Sequence, residues 1–101
     1  DYNKYQLDDA VEKILDLAPL KAKWEAFGWH AREIDGHDIP QIVDALEEAA
    51  RVRGRPSVII AHTVKGKGVS FMEHNNEFHG KAPTPEQLEQ ALAELDGRAT
   101  R

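Results

Sequence analysis

One short stretch leaves little freedom in how this chain can fold: "SVIIAHTV", from Ser57 to Val64, is continuous, largely apolar and rich in β-branched residues. Such a run is typical of a strand buried on both faces of a parallel sheet. Upstream, "WHAREID" at Trp29 to Asp35 lies between turn glycines and predicts the partner strand. Parallel strands need a long crossover connection, and a helix is predicted between these two. The sequence therefore predicts a right-handed βαβ unit and an α/β fold.

The connecting helix has a clear beginning and end. Asp38 can cap its amino terminus, Pro40 fits the first turn, and Gln41 completes a D-x-x-Q capping box. Gly54 is expected to end it, because the Arg-Pro pair that follows cannot continue a helix. Its apolar positions at helical spacing predict a buried stripe of Ile39, Ile42, Val43, Leu46 and Ala50.

Two short helices are predicted before the first strand. "DAVEKILDL" places Val11, Ile14 and Leu15 on one apolar stripe. After an interruption at Pro19, "PLKAKWEAFG" predicts a second helix that ends near Gly28. Aromatic side chains at helical spacing usually pack in a core, so we expect burial of Trp24 and Phe27.

The last predicted helix is "TPEQLEQALAEL". Thr84 is the expected cap, Pro85 takes the first helical position, and Gln87 closes a second capping box. The apolar side chains expected to face inward are Leu88, Ala91, Leu92 and Leu95.

Composition narrows the classes of protein. The chain has 101 residues, enough for one domain or part of one. A net charge of -5 argues against a nucleic-acid binder, and no apolar run approaches the length of a membrane span. The absence of cysteine excludes disulfides and thiolate metal sites and fits a reducing cytosol, so a cytoplasmic location is expected. Two strands are too few for a complete sheet, and Asp1 stands where a methionine would start a chain, so we expect a fragment.

The stretch "HTVKGKGVSFMEHNNEFHGKAP", His62 to Pro83, leaves the second strand at the sheet edge where α/β proteins bind ligands. Its glycines let the backbone approach a ligand, and Lys65 and Lys67 could meet phosphate, although neither phosphate-loop pattern is present. A solvated turn is the alternative. His74 and His79 are too few ligands for zinc, whereas one imidazole could face an anion or a substrate hydroxyl.

The remaining histidines have simpler interpretations. His30 sits in the predicted strand, and His37 stands beside the expected Asp38 cap, where a turn residue is the natural interpretation. His62 lies inside the apolar strand and is interpreted as a sheet residue rather than a ligand.

Four segments together resemble the transketolase family, and within it the amino-terminal subunit of the split, two-gene bacterial form. They occur in the family's order and spacing across about residues 1 to 95, and a single one of them would be a weak signal. The segments are "DYNKYQ" (Asp1–Gln6), "FGWH" with "IDGHD" (Phe27–Asp38), "RGRPSVIIAHTVKGKGVSFME" (Arg53–Glu73) and "FHGKAP" (Phe78–Pro83). The resemblance implies that residues 1–101 form the carboxy-terminal part of the domain that binds the diphosphate of thiamine diphosphate.

The resemblance implies an enzyme that moves a two-carbon ketol unit between sugar phosphates in the non-oxidative pentose phosphate pathway. Asn3 matches the family's asparagine ligand of Mg²⁺ (or Ca²⁺), and Tyr5 matches the ligand that binds through its main-chain carbonyl. His79 matches the histidine that touches the cofactor diphosphate and reaches the substrate. No role is assigned to His62, Lys65, Lys67, His74 or Asn76.

Other parts of the family's site lie outside this chain. The aspartate of a G-D-G motif and the early channel histidines would precede residue 1. The glutamate that activates the cofactor belongs to the pyrimidine-binding domain, which the split form carries on a separate carboxy-terminal subunit, so the resemblance implies a dimer or heterotetramer. We therefore expect the isolated chain to be inactive.

Two alternatives remain open from the sequence. One is another thiamine-diphosphate enzyme, such as 1-deoxyxylulose-5-phosphate synthase or a dehydrogenase E1 component, because these share partial versions of the motifs. The other is a non-catalytic α/β binding or assembly module. A G-D-G motif roughly 30 residues upstream would favour an enzyme, on the spacing expected from the resemblance to thiamine-diphosphate enzymes.

Overall fold

The computed structural model describes residues 1–99 and confirms the α/β fold. In chain order the elements are α1 (Val11–Leu15), α2 (Leu20–Ala26), β1 (His30–Asp35), α3 (Ile39–Arg51), β2 (Ser57–His62), a short 3₁₀ helix (Asn76–His79) and α4 (Pro85–Ala99). Among the described residues, no helix is long and apolar enough to cross a membrane.

The sheet is parallel, as predicted. β1 and β2 pair in a register that sets His30 opposite Ser57 at one end and Asp35 opposite His62 at the other. On the far side of β2, Tyr2 forms a single parallel bridge to His62. β2 therefore lies between the amino-terminal segment and β1, and the carboxyl ends of all three segments reach the same edge of the sheet.

The predicted cap of α3 forms and ties the helix to the strand before it. The N–H of Gln41 donates to Asp38 Oδ1 at 3.1 Å. The Gln41 side chain then reaches past the cap, and its Oε1 accepts the N–H of Asp35 at 3.0 Å. Because Asp35 is the last residue of β1, these bonds fix where α3 starts relative to the carboxyl end of the strand.

The predicted buried stripe of α3 is largely wrong. The helix packs on the strands through Ala45, which is 1% exposed, while Ile39, Val43 and Leu46 are 66%, 46% and 58% exposed. Ala50 is exposed as well, and Ile42 is half-buried. Helical periodicity identifies an apolar stripe but not the side on which the strands lie, and here a small residue lets the helix approach the sheet closely.

The cap of α4 is confirmed, and its predicted inward face is mostly wrong. The N–H of Thr84 donates to Gln87 Oε1 at 3.0 Å, and the N–H of Gln87 donates to Thr84 Oγ1 at 3.2 Å. Ala91 is buried, but three larger apolar residues of the helix are about half exposed: Leu88, Leu92 and Leu95. The described part of the chain offers no second layer to cover them.

The aromatic prediction holds for only one of its two residues. Trp24 is half-buried and packs against Trp29, with ring centroids 4.8 Å apart. Phe27 is 82% exposed, because it follows the last turn of α2 and Gly28, at φ +84°, turns the chain away immediately after it. The apolar stripe predicted for α1 is likewise exposed at Ile14 and Leu15.

The core is correspondingly small. Its buried apolar residues come from both strands, from α3 and α4, and from the loop after β2: Ala31, Ile34, Ala45, Ile60, Val69 and Ala91. The burial of Val69 shows that the loop after β2 packs against other parts of the chain instead of extending into solvent.

Candidate functional site

A cleft lined mostly by polar residues opens at the carboxyl edge of the sheet, the position expected for a ligand site in an α/β fold. Its volume is about 550 Å³, and side chains from the amino-terminal segment, both strands and the following loop line it. The ionisable groups among them are Lys4, Glu33, Asp35, His37, His62, Lys67 and His74.

A tight turn carries the two predicted metal ligands. Asn3 Oδ1 accepts the N–H of Tyr5 at 3.0 Å, and Lys4 between them has a left-handed backbone with φ +73°. The carbonyl of Lys4 accepts the N–H of Val11 at 2.9 Å, which holds the turn against the start of α1. Lysine rarely adopts this backbone conformation, so the turn depends on the bonds around it.

The donor set of this turn fits Mg²⁺. An amide oxygen has two lone pairs, so Asn3 Oδ1 can accept one hydrogen bond and still face a cation. Together with the Tyr5 carbonyl it offers two neutral oxygens, the hard ligands that Mg²⁺ prefers, with phosphate and water completing the octahedron. Within residues 1–99 no three His, Asp or Glu side chains converge as a metal-binding group. The ion would therefore need a charged ligand from elsewhere.

Lys4 lines the cleft and contacts two side chains there. Its Nζ lies 3.6 Å from the centroid of the Tyr2 ring and contacts Nδ1 of His62. Nε2 of His62 lies 3.1 Å from Glu33 Oε1. Partial burial lowers the pKa of Lys4, while the negative charges of Glu33 and Glu12 act in the opposite direction.

His62 is thus a strand residue, as predicted, but with more contacts than its sequence context suggested. Its edge also packs on Tyr2, with ring centroids 5.5 Å apart at an angle of 64°. The only sequence signal for this arrangement was a titratable residue at the end of an otherwise apolar strand.

The turn after β1 is locked to the end of β2. His37 was predicted as a turn residue, and it also links the two strand ends, because its Nε2 accepts the N–H of Val64 at 2.7 Å. Gly36 donates its N–H to the carbonyl of His62 at 2.8 Å. A Cβ at Gly36 would stand 2.5 Å from the Thr63 methyl, so only glycine allows this approach.

The two Lys-Gly pairs form a compact turn. Gly66 has φ +76°, and a Cβ there would stand 2.5 Å from the carbonyl oxygen of Met72. The N–H of Gly68 donates to Glu73 Oε1 at 3.0 Å, so a carboxylate of the chain itself occupies a donor that an anion would need. Lys67 lines the cleft, whereas Lys65 does not.

His79 ends the 3₁₀ helix and is exposed. Asn75 caps this helix by accepting the N–H of Glu77 at 3.0 Å, and Phe78 packs on Phe71 with ring centroids 5.5 Å apart. The backbone of His79 is therefore held in place while its imidazole is accessible. It does not line the cleft around Lys4.

Contacts far apart in sequence nevertheless bring the histidine segment beside the turn. Asn76 Nδ2 donates to the carbonyl of Leu7 at 2.7 Å, and the rings of His74 and Tyr5 lie 6.4 Å apart. Asn76, for which no role was predicted, thus links the two segments that carry the predicted site residues. Its Oδ1 is buried without a hydrogen-bond partner among the described residues.

Comparisons with known proteins identify the family of the chain. Residues 1–97 match the family model described as transketolase, thiamine diphosphate binding domain. The chain is 48% identical over 96 residues to the 6-deoxy-6-sulfo-D-fructose transketolase subunit SqwG of Clostridium sp. (strain MSTE9), covering 95% of this chain and 35% of that protein. It is 46% identical over 95 residues to an apulose-4-phosphate transketolase subunit of Actinobacillus succinogenes, covering 94% and 34%.

The fold matches a solved transketolase as well. The crystal structure of transketolase from Campylobacter jejuni superposes with a TM-score of 0.85 at 29% identity, covering 95% of this chain and 15% of that one. The chain spans about a third of the length of the two curated subunits. The resemblance predicted from the four motifs is confirmed: the chain belongs to the transketolase family and matches its thiamine-diphosphate-binding domain.

Proposed function

We propose that this chain is the carboxy-terminal part of the diphosphate-binding domain in one subunit of a split transketolase. The match of residues 1–97 to the family model carries the proposal. Relatives at 48% and 46% identity are named as subunits, which supports a two-subunit enzyme. Absence of cysteine supports a cytoplasmic location.

The proposed reaction moves a two-carbon ketol unit from a ketose to an aldose phosphate. The sequence resemblance pointed to the sugar phosphates of the pentose phosphate pathway. The two relatives, however, are named for 6-deoxy-6-sulfo-D-fructose and apulose 4-phosphate. We therefore define the donor by chemistry, as a ketose that carries an anionic phosphate or sulfonate group.

The residues of the turn would hold the cofactor through its metal ion. Asn3 would bind Mg²⁺ by its amide oxygen and Tyr5 by its main-chain carbonyl. When bound, thiamine diphosphate supplies the carbon nucleophile that carries the two-carbon unit.

His79 would work on the substrate side. Its imidazole is accessible at the end of an anchored 3₁₀ helix, next to a segment tied to the metal-binding turn. From there it can donate a hydrogen bond to the diphosphate, orient a sugar hydroxyl and carry its proton while the carbon–carbon bond breaks.

The chain alone lacks two groups that this chemistry needs. The described residues would supply two neutral metal ligands and His79, whereas the family's charged metal ligand and activating glutamate are expected outside them. We propose that a pyrimidine-binding partner subunit supplies the glutamate. Exposed apolar side chains on α3 and α4 support burial against further polypeptide in the complete enzyme.

The test compares the isolated 101-residue chain with the complete subunit co-expressed with its partner. Both are assayed with an aldose phosphate acceptor and three donors: 6-deoxy-6-sulfo-D-fructose, apulose 4-phosphate and an unmodified ketose phosphate. We expect turnover only in the complete enzyme, and only with thiamine diphosphate and Mg²⁺. A complete enzyme that neither binds the cofactor by calorimetry nor turns over any donor would contradict the proposal, and would favour the non-catalytic module.

A further inference from the structure

The contacts of Lys4, His62 and Glu33 suggest a function that neither the motifs nor the family match assigns. The three side chains come from three chain segments: the amino-terminal turn, the end of β2 and β1. Lys4 and His62 are 58 residues apart in sequence, so this is a tertiary arrangement and not a local contact of the turn.

The direction of the hydrogen bonds follows from the groups themselves. An ammonium can only donate, so Lys4 Nζ donates to Nδ1 of His62, which must then be the unprotonated nitrogen. The proton of the neutral imidazole sits on Nε2 and is donated to Glu33 Oε1 at 3.1 Å. The result is a chain of bonds from a cation through a neutral histidine to a carboxylate, in which both nitrogens of the imidazole have a partner.

The ammonium of Lys4 has a second contact. Lysine side chains normally extend into water, but Nζ of Lys4 lies 3.6 Å from the centroid of the Tyr2 ring, and the same ring packs edge-on against His62. Tyr2 is itself bridged to β2. The side chain of Lys4 is therefore fixed to the sheet at two points.

The fixed position of the Lys4 side chain matters because of the backbone conformation of this residue. Lys4 is the left-handed residue between Asn3 and Tyr5, and lysine adopts this backbone conformation only at a cost in free energy. Fixing its side chain to β2 holds the residue in that conformation, and with it the spacing of the Asn3 amide oxygen and the Tyr5 carbonyl. Groups behind metal ligands tune affinity by roughly tenfold to a hundredfold.

We propose that Lys4, His62 and Glu33 form a positioning relay that keeps the Asn3–Tyr5 turn in its metal-binding shape before the metal arrives. The proposal rests on the proposed function, because it assumes that the turn binds Mg²⁺. It assigns His62 as a positioning residue that acts through Lys4 and does not touch the cofactor. An ordinary surface ion pair is the simpler interpretation, and it predicts almost no effect on metal affinity.

The experiment uses the complete subunit with its partner and measures Mg²⁺ affinity by calorimetry at a fixed excess of thiamine diphosphate. His62→Leu removes the relay, and we expect Mg²⁺ to bind about tenfold more weakly. His62→Gln can still accept from Lys4 and donate to Glu33, so we expect it to stay within about threefold of the natural protein. Lys4→Met keeps the aliphatic stem but removes the ammonium, so its Mg²⁺ affinity should fall as much as that of His62→Leu.

His30→Leu is the matched control. His30 lies at the other end of the same sheet and also pairs with a glutamate, since its Nε2 is 2.8 Å from Glu48 Oε1. This substitution should leave Mg²⁺ affinity unchanged. Equal losses in His30→Leu and His62→Leu would overturn the proposal, because they would indicate general destabilisation.

Two further readouts separate a positioning effect from other causes. At saturating Mg²⁺ the kcat of His62→Leu should return to within about twofold of the natural enzyme. The double variant Lys4→Met with His62→Leu should bind Mg²⁺ no more weakly than either single variant. Unchanged Mg²⁺ affinity in His62→Leu, with a natural protein that binds normally, overturns the relay and leaves the proposed function standing. A natural protein that binds no Mg²⁺ with thiamine diphosphate overturns both.

Discussion

At the carboxyl edge of the sheet, side chains find their contacts within this chain, whereas the outer faces of α3 and α4 leave apolar side chains exposed. At the edge, side chains contact residues distant in sequence: Lys4 with His62, His37 with Val64, and Asn76 with Leu7. The space beside Gly36 is too small for a methyl group. The edge is therefore closely packed and held by hydrogen bonds from within the chain.

The helix faces show the opposite. Ile39 on α3 is 66% exposed, and Leu92 on α4 is 51% exposed, although both occupy positions that a helix normally buries. The described residues contain no element that covers them. The apolar stripes that the sequence predicts are therefore present on these helices, but no element in the described part of the chain packs against them.

The difference separates two kinds of information in the sequence. The contacts of the edge form within these residues, so the shape of the proposed cofactor turn is a property of this chain. The apolar stripes indicate neighbours that the described residues do not include. A substitution at the edge should therefore act locally, and one on a stripe should act only where the stripe is covered.

The largest effect is expected on the α3 stripe in the complete enzyme. Leu46→Lys places a charge where we expect further polypeptide to cover the helix, and burying an unpaired charge should lower the free energy of unfolding by at least about 2 kcal/mol. Asp44→Lys introduces the same side chain at a nearby exposed position of the helix and should cost less than about 0.5 kcal/mol. Denaturant unfolding of both variants measures the difference. Equal stability of the two would mean that this stripe faces water in the complete enzyme as well.

An intermediate effect is expected at the edge, where Gly36→Ala forces a methyl group to within 2.5 Å of the Thr63 methyl. Overpacking of this kind costs about 1–3 kcal/mol, and it should also disturb the bond from Gly36 to His62. The same unfolding measurement tests it.

Thr63→Ser provides the control for that substitution. Serine keeps the hydroxyl that donates to Asp1 and removes the methyl that clashes, so adding Thr63→Ser to Gly36→Ala should recover part of the lost stability. If the double variant is no more stable than Gly36→Ala alone, the clash is not the cause of the loss.

The sequence predicted those parts of the structure that depend on nearby residues. The caps at Asp38 and Thr84 involve partners three residues away, and both are confirmed. The βαβ order followed from the β-branched run and from the need for a crossover.

The rest depends on where distant segments meet, which periodicity does not encode. α3 places Ala45 on the sheet instead of Leu46, and one residue along a helix separates a buried face from an exposed one. Asn3, Tyr5 and His79 were predicted from motifs, and their roles stay predictions. The link from Lys4 to His62 had no sequence signal strong enough to find it, because a lysine and a histidine 58 residues apart form no pattern.

The smallest effect is expected from the ionisable cluster at the amino end of β1, where Glu48 receives hydrogen bonds from His30 and Arg32. Desolvation, the largest single influence, raises the pKa of Glu48, but the two hydrogen bonds together hold that pKa below its ordinary value of 4.5. A carboxylate with a lowered pKa in the folded state stabilises the fold above about pH 4.5, and this contribution disappears as the pH falls through the folded-state value.

Glu48→Gln should therefore lower the thermal unfolding midpoint at pH 7, and the difference from the natural protein should shrink as the pH is lowered below 4.5. Because the Glu48 side chain is 41% exposed to solvent, salt should reduce the difference at neutral pH. A gap between the two midpoints that stays constant from pH 7 to about pH 3 would show that the glutamate acts through packing and not through its charge. That result would also separate this end of the sheet from the carboxyl edge, where we attribute the order of the turn to hydrogen bonds between charged and polar groups.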